Sequence, residues 1–343
     1  MKKSMRRVLY ASHPDGWVTP DCFSFDEAPL PEVGDGDVLL RTIYVSMDPY
    51  MRGLMATGAH SYAEMFRIGA PLNGRVIAEV VESRNPDFKA GQFVFGMQEW
   101  SEYSVARQGV GLRIVDEKAA HLGHYLGTLG FPGLTAYVGM VKIGQPGAGE
   151  TVYVSAASGA VGQVAGQLAR ISGARVVGSA GSDAKVGFVR DECRFDAAFN
   201  YNTVSSIGAA LKEHCPDGID VNFENVGGGN LQAVINNANI EARLVICGMI
   251  SQYNTKTPFG VSNLNEMVSK RMMMKGYVVR DHADLLPEYL DRMSGWIREG
   301  QVQVKQNISQ GLDSVPDAFI GMLKGQNFGK QIVRFGEDPF NSD

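Results

Sequence analysis

The sequence predicts an α/β protein in which a doubly wound parallel sheet is inserted between two pieces of a β-rich domain. Three observations carry that expectation. Residues 124–302 repeat strand, helix, strand at the spacing of βαβ units, which require a parallel sheet and right-handed crossovers. Residues 1–123 hold short strand-like runs broken by proline and glycine, with no long helix among them. Residues 303–343 return to short strands that must pair somewhere, and the N-terminal sheet is the simplest partner. The length of 343 residues fits two domains at about 150 residues each.

In the first piece, 38–45, 74–82 and 92–95 are rich in β-branched residues and read as strands. Pro29-Leu-Pro31, Gly34-Asp-Gly36 and Lys89-Ala-Gly91 punctuate them, as in a small antiparallel barrel or sandwich. In the middle piece, 151–155 is a compact buried-strand run followed by a glycine-bearing turn. Val161, Val164, Ala165, Leu168 and Ala169 then recur at helical spacing between 160 and 171. Further strands are expected at 174–179, 197–199, 221–223 and 244–247, with helix-like stretches between most of them. In the last piece, 302–304 and 331–335 read as strands, and one short helix starts at Ser314.

Lys and Arg number 32 against 37 Asp and Glu, a net charge of −5 with a pI near 5.7. That balance argues against nucleic-acid binding by phosphate neutralisation. No apolar run approaches the ~18 residues of a membrane helix. The basic segment from Met1 to Arg7 is not followed by the apolar region of a secretory signal. A soluble, cytoplasmic protein is expected. The four cysteines (Cys22, Cys193, Cys215 and Cys247) are scattered, without a Cys-x-x-Cys pair, and read as reduced apolar side chains. His121-x-x-His124 is the one histidine pair at ligand spacing and has no visible third ligand, so no metal is expected. Ser158 lacks the Gly-x-Ser-x-Gly context of a hydrolase nucleophile.

The 41 glycines, about 12% of the chain against a norm of ~7%, mark many turns and close backbone approaches. The most informative set is Ala157-Ser-Gly159-Ala-Val-Gly162, a Gly-x-Gly-x-x-Gly pattern with alanine at its first glycine. Gly159 would admit a pyrophosphate close to the backbone, Gly162 would let helix and strand pack closely, and the amides of Ala160, Val161 and Gly162 would face the anion at a helix N-terminus. The glycines alone fit an empty tight turn equally well; strand, turn, helix and second strand in order favour a dinucleotide. An NAD site usually places a carboxylate at the end of the second strand, ~20 residues on. Gly178-Ser-Ala-Gly-Ser182 is small and uncharged there, which leaves room for a 2′-phosphate that Lys185 can neutralise. Asp183 would face elsewhere or cap the next helix. NADPH is the expected cofactor, with a solvated surface lysine as the alternative for Lys185.

Met47-Asp-Pro-Tyr-Met-Arg-Gly53, Gly133-Leu-Thr-Ala-Tyr137, Ala156-Ala-Ser-Gly-Ala-Val-Gly162, Val177-Gly-Ser-Ala-Gly-Ser182, Phe223-Glu-Asn-Val-Gly-Gly228, Ile246-Cys-Gly-Met-Ile-Ser-Gln-Tyr-Asn254 and Asn327-Phe-Gly-Lys330 occur in order over nearly the whole chain. With these segments the sequence resembles the zinc-independent medium-chain dehydrogenase/reductases, in the alkenal/prostaglandin reductase branch that includes bacterial NADPH-dependent curcumin reductases. The resemblance implies a GroES-like substrate domain (1–123, completed by 303–343) and an inserted Rossmann NADP-binding domain (124–302). Zinc-dependent relatives carry Cys and His where this chain has Met47 and Arg75, so no catalytic zinc is implied. It further implies that Gly159 to Gly162 meet the pyrophosphate, and that Lys185 and Tyr201 hold the 2′-phosphate. Asn225, Cys247, Gly248, Ile250, Ser251, Tyr253, Tyr277, Val278, Val279 and Asn327 would line the rest of the cofactor, and a homodimer is implied. Asn225 and Asn327 fit turn chemistry as readily.

The implied reaction reduces a carbon–carbon double bond conjugated to a carbonyl: hydride reaches the β-carbon and charge builds on the carbonyl oxygen. A donor aimed at that oxygen lowers the barrier, and a neutral phenol can donate where a carboxylate cannot. Tyr253, after a strand end, is the first choice for the donor. Tyr62 is the second, to orient the carbonyl or relay the α-proton. Tyr50, Met47 and Met249 would shape a tolerant apolar pocket for curcumin-like enones, alkenals or oxo-eicosanoid-like enones. Packing remains the alternative for Tyr50 and Tyr62, and Arg52 reads as a structural ion pair or a substrate clamp. Two other functions fit the same cofactor: NADPH:quinone reduction, which would survive replacement of Tyr253 by Phe, and NADPH binding without turnover in a structural protein.

Overall fold

The computed structural model describes residues 4–56 and 63–340. The chain divides into two compact units, Met1–Leu126 with Gln306–Asp343, and Gly127–Lys305.

In the first unit the strand Val38–Ser46 is buried along almost its whole length, which explains a near-continuous apolar run in place of alternation. It pairs antiparallel with Asn73–Ser83 and with Tyr103–Ala106. The C-terminal strand Lys330–Arg334 lies antiparallel to it, with Ile332 opposite Ser46 and Arg334 opposite Tyr44, and parallel to Gln306–Gln310. The two sequence pieces thus share one seven-stranded sheet. Val8, Leu40, Val76, Val94, Trp100 and Phe319 pack the core beneath it, and a hairpin of Ser4–Tyr10 and Phe23–Pro29 stands beside it.

The second unit is a six-stranded parallel sheet: β1 (Thr151–Val154), β2 (Arg175–Ala180), β3 (Ala197–Asn200), β4 (Ile219–Glu224), β5 (Ala238–Ile246) and β6 (Met273–Gly276). Helices α1 (Gly162–Ile171), α2 (Asp183–Gly187), α3 (Ile207–His214) and α4 (Gly228–Asn237) follow the first four strands. The order across the sheet is β3-β2-β1-β4-β5-β6, so the winding reverses between β1 and β4, and open α/β sheets bind ligands outside the strand ends at that point. No helix among the described residues is long and apolar enough to cross a membrane.

One expected strand is absent: 302–304 is irregular, and the strand begins at Gln306. The buried amide side chains of α1 take the place of a neighbouring strand. Gln303 N–H donates to Gln167 Oε1 (2.7 Å) and Lys305 N–H to Gln163 Oε1 (3.0 Å), which satisfies the backbone without a ladder.

Candidate nucleotide and active site

The β1–α1 turn is shaped by close backbone approach. A Cβ on Gly162 would stand 2.4 Å from Ala156 O and 2.9 Å from Ala157 Cα, so only glycine fits. The left-handed residue of the turn is Ala156, at φ 49°, one position before the alanine that stands at the first glycine of the motif. This conformation costs an alanine on the order of 1 kcal/mol. Gly159 N–H and Gln163 N–H are bonded inside the turn, at 3.0 and 3.1 Å. Among the described residues, the N–H groups of Ala160, Val161 and Gly162 find no protein acceptor. Three such amides at the N-terminus of a ten-residue helix, beside a glycine cradle, fit the pyrophosphate of a dinucleotide.

At the end of β2, Ser182 caps α2 by accepting from Lys185 N–H (3.3 Å), so the serine holds the cap and Asp183 does not. Asp183 Oδ1 instead accepts from Asn200 Nδ2 (2.8 Å), at the end of β3. Lys185 is the cationic side chain of this turn. Lys185 is buried, and burial lowers its pKa. Tyr201 follows β3 with its N–H on Ala180 O (3.1 Å), and its hydroxyl lies 2.5 Å from where a Cβ of Gly181 would be. Lys185 and Tyr201 therefore sit just beyond the ends of adjacent strands, and the residues from Gly178 to Ser182 carry no carboxylate.

Across the switch point the loops after β4 and β5 are tied together. Cys247 N–H and Gly248 N–H donate to Glu224 O, Ile250 N–H to Asn225 O, and Ser251, through both N–H and Oγ–H, to Val226 O. Tyr253 closes this segment. Its hydroxyl oxygen accepts from Met249 N–H (3.3 Å), and its own proton has no acceptor among the described residues. Burial pushes the Tyr253 phenol above its ordinary pKa. Met249 packs against the loop, 2.9 Å from a Cβ position on Gly227. Tyr277, after β6, donates to Thr135 O (2.7 Å) and bonds the Cys247 thiol, which burial pushes up to about 12. Its hydroxyl is thus engaged within the unit. Val278 and Val279 are half-buried beside it.

In the first unit, Tyr50 is half-buried with the Arg75 guanidinium 5.5 Å from its ring centre, and burial raises its pKa. Met47 is 1% exposed and belongs to the core cluster, so its side chain packs inside the unit. Arg52 donates to Gly16 O at 2.7 Å. Asn327 Nδ2 donates to Gly329 O at 2.7 Å, a bond internal to its own turn. Tyr62 lies outside the described residues. Among the described residues no cluster of three or more His, Cys, Asp or Glu is placed to hold a metal ion.

Sequence reasoning missed the buried charged groups Glu224 and Lys330, the latter paired with the buried Asp48. Glu224 was passed over beside Asn225, and Lys330 beside Asn327. A charge inside an otherwise apolar or glycine-rich motif was the available signal.

Residues 6–115 match the family model described as the N-terminal domain of oxidoreductase, and residues 160–295 match that of zinc-binding dehydrogenase. The chain is 45% identical over 304 residues to 2-alkenal reductase (NADP(+)-dependent) of Nicotiana tabacum, covering 89% of this chain and 88% of that one. It is 37% identical over 343 residues to NADPH-dependent curcumin reductase of Escherichia coli strain K12, covering 98% and 99%. The crystal structure of CurA in complex with NADPH from Vibrio vulnificus is similar with a TM-score of 0.92 at 36% identity, covering 97% of this chain and all of that one.

Proposed function

The chain belongs to the medium-chain dehydrogenase/reductases, in the branch of NADP-dependent alkenal, prostaglandin and curcumin reductases, and from that premise we propose how its residues divide the reaction. The protein is an NADPH-dependent reductase of carbon–carbon double bonds conjugated to a carbonyl. The amides of Ala160, Val161 and Gly162 would hold the pyrophosphate, with Gly159 admitting it close to the backbone, and Lys185 and Tyr201 would hold the 2′-phosphate. Asn225, the Cys247–Tyr253 segment, Tyr277, Val278, Val279 and Asn327 line the adenosine and nicotinamide ends.

Bound NADPH supplies the hydride that reaches the β-carbon of the substrate. Tyr253 does what the chain must add. With its oxygen lone pair taken by Met249 N–H, the phenol keeps its proton for the substrate carbonyl oxygen, where enolate charge develops. That single arrangement carries the assignment, and one such donor is worth about 2.7–4 kcal/mol in a dry site. Burial keeps the phenol protonated at neutral pH. Tyr62 orients the carbonyl or relays the α-proton, and Tyr50 and Met249 are substrate contacts; Met47, buried in the core of the first unit, is not one. We place the enzyme in the cytoplasm as a homodimer; β6, an edge strand that begins at the exposed Met273 and is preceded by the exposed Leu264 and Val268, supports self-association.

NADPH oxidation with a panel of enals, curcumin, quinones and alcohols, followed by mass analysis, tests this reading. A product saturated at the former double bond supports it, and an allylic alcohol overturns it.

A further inference from the structure

We propose that Glu224 is a positioning residue for the nicotinamide half of the cofactor: its buried carboxylate locks Ser155 and Asn225 so that Asn225 meets the ligand as an acceptor. The proposal rests on the cofactor reading above.

Glu224 is 0% exposed at the end of β4, at the switch point. Oε1 accepts from Ser155 Oγ (3.0 Å), Val226 N (2.8 Å), Gly227 N (2.8 Å) and Asn230 Nδ2 (3.1 Å). Oε2 accepts from Asn222 Nδ2 (3.0 Å) and Asn230 Nδ2 (2.9 Å). No lysine or arginine pairs with it among the described residues. A buried carboxylate without a counter-cation is costly unless donors surround it, and here five separate groups do. Burial raises its pKa, and the donors oppose that rise.

Two consequences follow from hydrogen-bond polarity. A carboxylate only accepts, and the Ser155 hydroxyl lies nearer to it (3.0 Å) than to Phe223 O (3.4 Å), so it donates to the carboxylate and its oxygen accepts Asn225 N–H (2.8 Å). Ser155 O, a backbone carbonyl, also only accepts, so the amide NH2 of Asn225 must face it (2.7 Å). The side-chain oxygen of Asn225 points away from both and has no donor among the described residues. Such an acceptor suits the N–H of a carboxamide or a sugar hydroxyl and repels a phosphate. The second consequence concerns α4. Its N-terminal turn needs left-handed Gly227 and Gly228 (φ 74° and 56°), and its amides at Val226 and Gly227 already hold the Glu224 carboxylate. The protein fills this helix end with its own anion, which leaves the β1–α1 turn for the pyrophosphate.

Equilibrium titration of the full-length protein with two probes tests the idea. NADPH engages both ends of the site, and 2′,5′-ADP engages only the adenosine and phosphate end. In Glu224→Gln the Kd for NADPH is expected to rise about tenfold while that for 2′,5′-ADP stays within about twofold. Unchanged binding of both probes, or equal loss of both, overturns the proposal. Ser155→Ala removes one bond from the same carboxylate and carries the test if the glutamine variant does not fold, with the same selective loss expected and the same contrary results. Wild-type protein that binds neither probe overturns the cofactor reading, and this proposal falls with it. Wild-type binding of both probes, kept intact in the variants, overturns this proposal alone.

Discussion

Lys330 Nζ lies 2.7 Å from Asp48 Oδ1 with both side chains buried, so an ion pair ties the C-terminal strand of the first unit to the turn that carries Tyr50. The same ammonium donates to Met47 O (2.7 Å), and Ser46 Oγ donates to Asp48 Oδ2 (2.7 Å). Burial works against the Asp48 carboxylate, but the charges of Lys330 and Arg75 outweigh it and hold its pKa below the ordinary value. Removing one partner leaves a buried charge behind. Lys330→Met should therefore cost about 3–5 kcal/mol, whereas Lys330→Met with Asp48→Asn should recover much of that loss. Urea denaturation of both variants checks this; a double variant no more stable than the single one would show that the pair's charges are not coupled.

His124 predicts an acid-side loss of stability. Its Nδ1 is buried without a hydrogen-bond partner in the described structure, and burial, helped by His121, lowers its pKa to about 4. Between pH ~6.5 and ~4 the unfolded chain takes up a proton that the folded chain refuses, so stability falls as pH falls through that window. The contribution reaches roughly 3 kcal/mol at the acid end. His124→Leu should flatten the dependence of the denaturation midpoint over this range. An unchanged pH profile in the variant would assign the acid loss to other groups.

The β-rich and βαβ halves were legible because their periodicities differ. Val161, Val164, Ala165 and Leu168 fall at helical spacing, whereas the 38–45 run is apolar apart from Arg41 and Thr42 because Val38–Ser46 is buried along almost its whole length. The run at 302–304 misled because Val302 and Val304 alternate like a strand, yet Gln163 and Gln167 supply the bonds a neighbouring strand would give. Such side-chain substitution for a ladder leaves no local trace. The left-handed Ala156 was likewise illegible, since alanine carries no marker of positive φ. Glu224 was visible as a letter, but its meaning depends on Ser155 and Asn230, which lie 69 residues before it and 6 after it.

Lys185→Ala tests the cofactor preference. Asp183, at the end of β2, accepts a hydrogen bond from Asn200 Nδ2, and Lys185 is the cationic side chain on the helix that follows. A charge-assisted contact to phosphate is worth about 1.5–3 kcal/mol, so the Kd for NADPH should rise roughly ten- to a hundredfold. NADH has no phosphate at that position, and its Kd should change by less than about twofold. Parallel titrations decide the matter; equal weakening of both would remove Lys185 from the phosphate site.

Tyr253→Phe separates the chemistry from the fold. The substitution deletes one oxygen that accepts from Met249 N–H and leaves the ring packing in place, so NADPH affinity should hold within about twofold. Loss of a donor present for the developing enolate should lower kcat on an enone about 10²- to 10³-fold with little change in KM. Because burial raises the phenol's pKa, the wild-type rate on the same enone should not fall from Tyr253 ionisation below pH ~10. A quinone accepts electrons without needing this donor, so quinone turnover should survive in the variant. Steady-state rates on both substrates give the answer: equal loss on enone and quinone would point to a disturbed cofactor, and an unimpaired enone rate would remove Tyr253 from the reaction.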